Sequence, residues 1–123
     1  MEKTVLIVDD SAMIRHIVSQ IVKESGFGVL LAQDGQEGYE LAKDQLPDLV
    51  IMDVEMPTMD GIQATTLIKT DPTTSHIPVM IFTSLGGEDD LKRAQDAGCQ
   101  GILHKPICKE TLQTTLHDMF NGQ

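Results

Sequence analysis

Asp9 and Asp10 side by side, Asp53, Thr83 and Lys105 are the residues of this sequence whose types could do chemistry together. Three carboxylates, a hydroxyl and an ammonium are the parts of a site that handles a phosphoryl group. An aspartate can act as nucleophile and become an acyl phosphate, a divalent cation and a lysine can neutralise the phosphoryl oxygens, and a threonine can donate a hydrogen bond to them. Two like charges about 4 Å apart repel by roughly 4 kcal/mol at an effective dielectric of 20, so converged carboxylates either raise their own pKa values or recruit a metal. Oxygen ligands of this kind suit Mg²⁺, which keeps some of its waters and is often completed by a phosphate. Taken singly, each residue has an ordinary reading: an Asp after a strand is a turn former or helix cap, Thr83 a strand-end hydroxyl, Lys105 a solvated loop charge. What reverses that reading is their placement together.

The placement follows from the elements. Short apolar runs bounded by turn residues, Thr4 to Asp9, Val29 to Gln33, Leu49 to Asp53, Val79 to Thr83 and Gly101 to Leu103, alternate with stretches of helical periodicity. The helices are Ser11 to Ser25, Gln36 to Gln45, Gly61 to Thr70, Glu88 to Ala97 and Lys109 to Phe120. Ser11 and Asp60 can cap helix starts, and Gly26 and Gly98 stand where helices close in the left-handed conformation. Several strands are apolar almost throughout, as parallel strands covered on both faces are. Five βα units with right-handed crossovers make an α/β fold, a doubly wound five-stranded parallel sheet with helices on both faces. Its ligands bind beyond the carboxyl ends of the strands. Asp9, Asp10, Asp53, Thr83 and Lys105 all fall at those ends.

The 123 residues suit one domain, 1–123, with no repeat or linker and no attached output domain expected. Nineteen acidic against nine basic side chains give a net charge of −10, which argues against nucleic acid and anionic membrane surfaces and for protein partners. The apolar stretch from Val5 to Val8 is interrupted by Asp9-Asp10 and is neither a signal peptide nor a membrane span, so a cytoplasmic location is expected. Cys99 and Cys108 lack metal or redox spacing and read as reduced thiols. His16, His76, His104 and His117 show no zinc-ligand spacing.

Along essentially its whole length the chain resembles the response-regulator receiver domains of two-component signalling, of the single-domain chemotaxis type. The carrying residues are Val8-Asp9-Asp10-Ser11, Asp53-Val54-Glu55-Met56-Pro57 followed by Met59-Asp60-Gly61, Phe82-Thr83-Ser84, and His104-Lys105-Pro106. Thirty positions separate Asp53 from Thr83 and twenty-two separate Thr83 from Lys105, similar to the family's spacings. The resemblance implies a (βα)5 flavodoxin-like fold with strand order 2-1-3-4-5 and a cis Lys105-Pro106 peptide. It makes Asp53 the acceptor of a phosphoryl group from a sensor histidine kinase or histidine phosphotransfer protein, in a Mg²⁺-dependent reaction. Asp10, Asp53 and the backbone carbonyl of Glu55 would bind the metal directly and Asp9 through water. Thr83 and Lys105 would hold the phosphoryl oxygens. By the same resemblance the chain is no enzyme beyond catalysing its own phosphorylation and dephosphorylation, and it signals by altered binding to a downstream protein. Residues such as Asp89, Lys92 and Gln100 would help form the surface that is read.

Where the family commonly carries an aromatic residue three positions before the lysine, this chain has Ile102, so the usual coupling of threonine to aromatic ring is not expected in its usual form. Glu55 and Leu85 match the family's tuning positions for phosphoryl lifetime, and Gly86-Gly87 can form a hinge or a plain turn. Other readings are a receiver excised from a longer regulator, a flavin-binding electron carrier and an aspartate-nucleophile phosphatase. An acidic first loop and 3% aromatic residues disfavour the flavin carrier, and the lack of a cap segment disfavours the phosphatase.

Overall fold

The computed structural model describes residues 3–56, 59–84 and 88–121, with backbone alone at 88 and 121. Sequence readings that fall on Pro57, Leu85, Gly86 and Gly87 lie outside the described residues. The element order is β1 (Thr4–Val8), α1 (Ala12–Glu24), β2 (Gly28–Ala32), α2 (Gly35–Gln45), β3 (Leu49–Asp53), α3 (Gly61–Thr70), β4 (Val79–Thr83), α4 (Glu88–Asp96), β5 (Gly101–His104) and α5 (Lys109–Asn121). All strands pair in parallel in the order β2-β1-β3-β4-β5, as the resemblance implied.

Alternation along each strand sends side chains to two separate cores. Leu6, Val8, Val50, Met52 and Ile81 pack with Ile62 and Ile68 of α3 and Ala94 of α4. Val5, Ile7, Ile51 and Phe82 pack with Val18 and Val22 of α1 and Leu112 and Leu116 of α5. Both faces are covered, which is why the central strands are apolar without polar alternation. Burying each large side chain contributes roughly 1.5–3 kcal/mol, so the layers hold the strand ends in fixed relation.

The caps read in the sequence form. Ser11 accepts from the Ile14 N–H, Asp60 makes a capping box with Gln63, and Gly26 and Gly98 have φ of 94° and 96°. The boundaries that shift do so for local reasons. β2 runs one residue earlier than read because the Gln33 N–H turns to the Glu37 carboxylate, while Asp34 caps α2. β1 stops at Val8, since Asp9 bends to receive the Ser11 N–H. β5 extends to His104, opposite Thr83.

Candidate functional site

The parallel register places Val8 beside Met52, Asp53 beside Phe82 and Thr83 beside His104. Asp9, Asp10, Asp53, Thr83 and Lys105 therefore gather at one edge of the sheet, as the sequence predicts. One carboxylate oxygen from each of Asp9, Asp10 and Asp53 lies within 4.8 Å of the others. Asp9 and Asp53 are buried at the sheet edge, whereas Asp10 is exposed.

Asp9 is held on all sides but one. Its N–H donates to the Ala32 carbonyl at 3.1 Å, its carbonyl accepts from Arg15 Nη1 at 2.7 Å, and its Oδ1 accepts from the Ser11 N–H at 2.9 Å. Its Oδ2 is buried without a hydrogen bond, facing Lys105 Nζ at 3.4 Å as an ion pair only. A buried carboxylate oxygen left in that condition costs free energy unless something else satisfies it. Three converging carboxylates with one such oxygen fit a hard divalent cation, and Mg²⁺ matches their all-oxygen character. No histidine takes part in a metal-capable cluster among the described residues.

Lys105 Nζ donates to Asp53 Oδ1 at 2.9 Å and stands 5.2 Å from the centre of the Phe82 ring. Burial pushes the Asp53 carboxyl above its ordinary range; the hydrogen bond from Lys105 opposes this, and the charges of Asp9 and Asp10 add to it. Burial alone would lower the Lys105 ammonium, but the hydrogen bond and charge of Asp53, with Asp9 behind it, carry it above its usual value. The Lys105-Pro106 peptide is cis, and the Lys105 N–H donates to the Thr83 carbonyl at 2.9 Å.

Thr83 ends β4, buried, and shares with Val54, Ile62, Ile81, Leu91 and Ile102 the lining of a cavity of about 10 Å³. That is barely the space of one water. Ile102, half-buried, thus presents an aliphatic side chain from β5 to this cavity and packs against the same core as Ala94 of α4. Glu55 is exposed, and its carboxylate accepts from the Ser84 hydroxyl at 2.9 Å, tying the ends of β3 and β4 together outside the acidic cluster.

Three participants carry no signal in a sequence read for reactive groups. Arg15 sits among the apolar residues of an amphipathic helix, and only the fold shows it reaching back to Asp9. The Phe82 ring reads as core, and its contact with Lys105 depends on strand order. Gly61 reads as a helix start, yet a β-carbon there would overlap the Asp53 carbonyl oxygen. Cys108 is an exposed thiol at the entry to α5, lowered below its usual pKa by hydrogen bonds with Thr111; Cys99 is likewise unpaired in any disulfide.

The response regulator receiver domain model matches residues 5–117. The chain is 39% identical to the chemotaxis protein CheY of Halobacterium salinarum, over 99% of this chain and all of that one. Its structure superposes on that of CheY4 from Vibrio cholerae with a TM-score of 0.91 at 31% identity, covering 98% of this chain and all of the other. A third likeness, with a TM-score of 0.89 and 25% identity over 97% of this chain and 98% of the other, is to the receiver domain of a sensor histidine kinase from Pseudomonas aeruginosa, described with a magnesium ion coordinated in its active site cleft.

Proposed function

This chain belongs to the response regulator receiver family, a two-component phosphorylation switch of the CheY type, and from that premise we propose that Asp53 accepts a phosphoryl group from a phosphohistidine in a Mg²⁺-dependent transfer. The observation that carries the reading is the juxtaposition of Asp53 with Lys105 at 2.9 Å and with the carboxylates of Asp9 and Asp10 within 4.8 Å. An Asp53 carboxylate oxygen forms the bond to phosphorus while the phosphorus–nitrogen bond of the donor breaks, its electron pair returning to the imidazole. Asp9, Asp10, Asp53 and the Glu55 carbonyl are the groups to hold Mg²⁺, which when bound neutralises charge on the phosphoryl oxygens. Lys105, already paired with Asp53, moves its charge onto the same oxygens, and the Thr83 hydroxyl donates to one of them. The magnesium described in the Pseudomonas receiver's cleft supports the same ion here.

The chain acts on no substrate but its own phosphoryl group. Its donor is a sensor histidine kinase or histidine phosphotransfer protein, and its output is altered binding to a downstream protein. The exposed Asp89, Lys92 and Gln100 lie along the surface of α4 and the entry to β5 where that output is read. A cytoplasmic location fits this role, and among the described residues no helix is long and apolar enough to cross a membrane.

Intact mass after incubation with acetyl phosphate, with and without Mg²⁺, tests the reading. A single phosphoryl increment that needs Mg²⁺ and vanishes in Asp53→Asn is the expected result. An increment retained in that variant, or none in a folded wild type supplied with Mg²⁺, would overturn Asp53 as acceptor from small donors.

A further inference from the structure

We propose that Arg15 is a positioning residue of the metal site: its hydrogen bond to the Asp9 carbonyl holds the turn that carries Asp9 and Asp10, so that both carboxylates converge on Asp53. The proposal rests on the Mg²⁺ reading above and names the device that keeps the site open for the ion.

On charge alone Arg15 is badly placed. It lies near the start of α1, where a cation opposes the helix dipole, and that first turn carries no acidic residue to compensate. It also stands on the residue that would meet a divalent cation, which it repels. What it gains there is a charge-assisted hydrogen bond of 2.7 Å to a backbone carbonyl, delivered from a rigid planar group. Arg15 is itself tied into α1 by its N–H to the Ser11 carbonyl at 3.0 Å. The side chain therefore closes a loop from the helix back across the turn.

The consequence is read at Asp9. With N–H, carbonyl and Oδ1 each engaged, only Oδ2 stays without a hydrogen bond. Freeing the carbonyl would let the peptide between Asp9 and Asp10 turn. Asp10, exposed and outside the strand, has no ladder to hold it in its place. An outer group that orients ligands in this way typically changes metal affinity by tenfold or more when removed.

Magnesium binding to the unphosphorylated protein, followed by calorimetry in the wild type, Arg15→Met, Arg15→Lys and Arg15→Gln, separates positioning from charge. Methionine removes donor and charge, lysine keeps both, and glutamine keeps a donor without charge. Thermal unfolding without metal checks that each variant is folded. Positioning predicts roughly tenfold weaker binding in Arg15→Met, with lysine and glutamine restoring most of it. Charge alone predicts the opposite sign: tighter binding once the cation is gone. Equal or tighter binding in Arg15→Met overturns the proposal, as does failure of both donor variants to recover. Should the methionine variant not fold, the wild type still decides: the Arg15 guanidinium protons should stay protected from exchange at saturating Mg²⁺, and their release on loading would overturn the assignment. A wild type that binds no Mg²⁺ removes the underlying reading instead, a result distinct from unchanged binding in the variant.

Discussion

Lys105 reaches Asp53 across an intervening strand: it follows β5, Asp53 ends β3, and the 2.9 Å bond passes beside the Phe82 ring of β4. The ammonium is thus the cation that makes a buried carboxylate cluster tolerable when no metal is bound. Replacing Lys105 by Met should lower the stability of the metal-free protein by about 2 kcal/mol, less than for a fully buried pair because the lysine is partly exposed. Urea unfolding measures it. Saturating Mg²⁺ should narrow the gap between variant and wild type, since the ion replaces the lost charge. Phosphorylation of the variant by acetyl phosphate should fall even at saturating Mg²⁺.

The pH dependence of stability follows from Asp53. Its carboxyl is raised above the ordinary value of 3.8 chiefly by burial, so the folded state binds the proton more tightly than the unfolded chain does. Stability contributed by this group is therefore greatest below about pH 4 and declines as pH rises from there through the raised value. Asp53→Asn cannot ionise and should be the more stable protein at neutral pH without metal, by on the order of 1 kcal/mol. Parallel urea titrations at pH 4 and 7 should show the variant's advantage growing with pH. Lys105 acts in the opposite limb: its raised ammonium stabilises the fold fully below its ordinary 10.5, and that contribution is lost as pH rises through the higher folded value.

The cap of α3 sits beside the site, since Gly61 next to Asp60 packs against the Asp53 carbonyl. Asp60 closes the start of α3 with Gln63 through its Oδ1, and Arg93 of α4 stands 3.7 Å from its Oδ2. Asp60→Ala should cost about 1 kcal/mol, nearly all of it from the cap. The pair with half-exposed Arg93 adds little, so Arg93→Ala alone should change stability by under about 0.5 kcal/mol. Thermal unfolding of the two variants and their double mutant distinguishes the contributions.

The sheet and all five main site residues were legible because strand ends in a doubly wound fold are fixed by short apolar runs, and reactive residues there stand out against them. Asp9 with Asp10, Asp53, Thr83 and Lys105 each follow or close such a run. Legibility fails where a residue acts through its backbone or through a distant neighbour. Leu46 closes α2 with φ of 47°, a left-handed residue that nothing in its side chain announces. Arg15 acts on a carbonyl six residues back, and Glu55 spends its side chain on Ser84 rather than on the acidic cluster. The consequence of Ile102 was half legible: the missing aromatic could be read, but the small cavity it shares with Thr83 could not. Ile102→Ala should enlarge that cavity and cost about 2 kcal/mol in urea unfolding, while Ile102→Val should cost under about 1.5 kcal/mol.

Gly61 and Gly26 give the same substitution two different outcomes. At Gly26, φ is 94° and a β-carbon would meet nothing within 4 Å, so Gly26→Ala should cost about 1–2 kcal/mol for the left-handed backbone and leave the site unchanged. At Gly61 the backbone conformation is ordinary, but α3 begins against the end of β3. The Gly61 N–H donates to the Val54 carbonyl at 3.0 Å, and an added β-carbon would strike the Asp53 carbonyl oxygen and carbon. The neighbour there is backbone and cannot step aside as a flexible side chain would. Gly61→Ala should therefore cost about 1–3 kcal/mol through forced backbone displacement. It should also move Asp53 away from Asp9, Asp10 and Lys105. Mg²⁺ titration of both variants is the check: Gly26→Ala should bind as the wild type does, and Gly61→Ala more weakly, with its acetyl-phosphate increment reduced. Equal Mg²⁺ affinity in the two variants would mean that the end of β3 yields without carrying the Asp53 carboxylate with it.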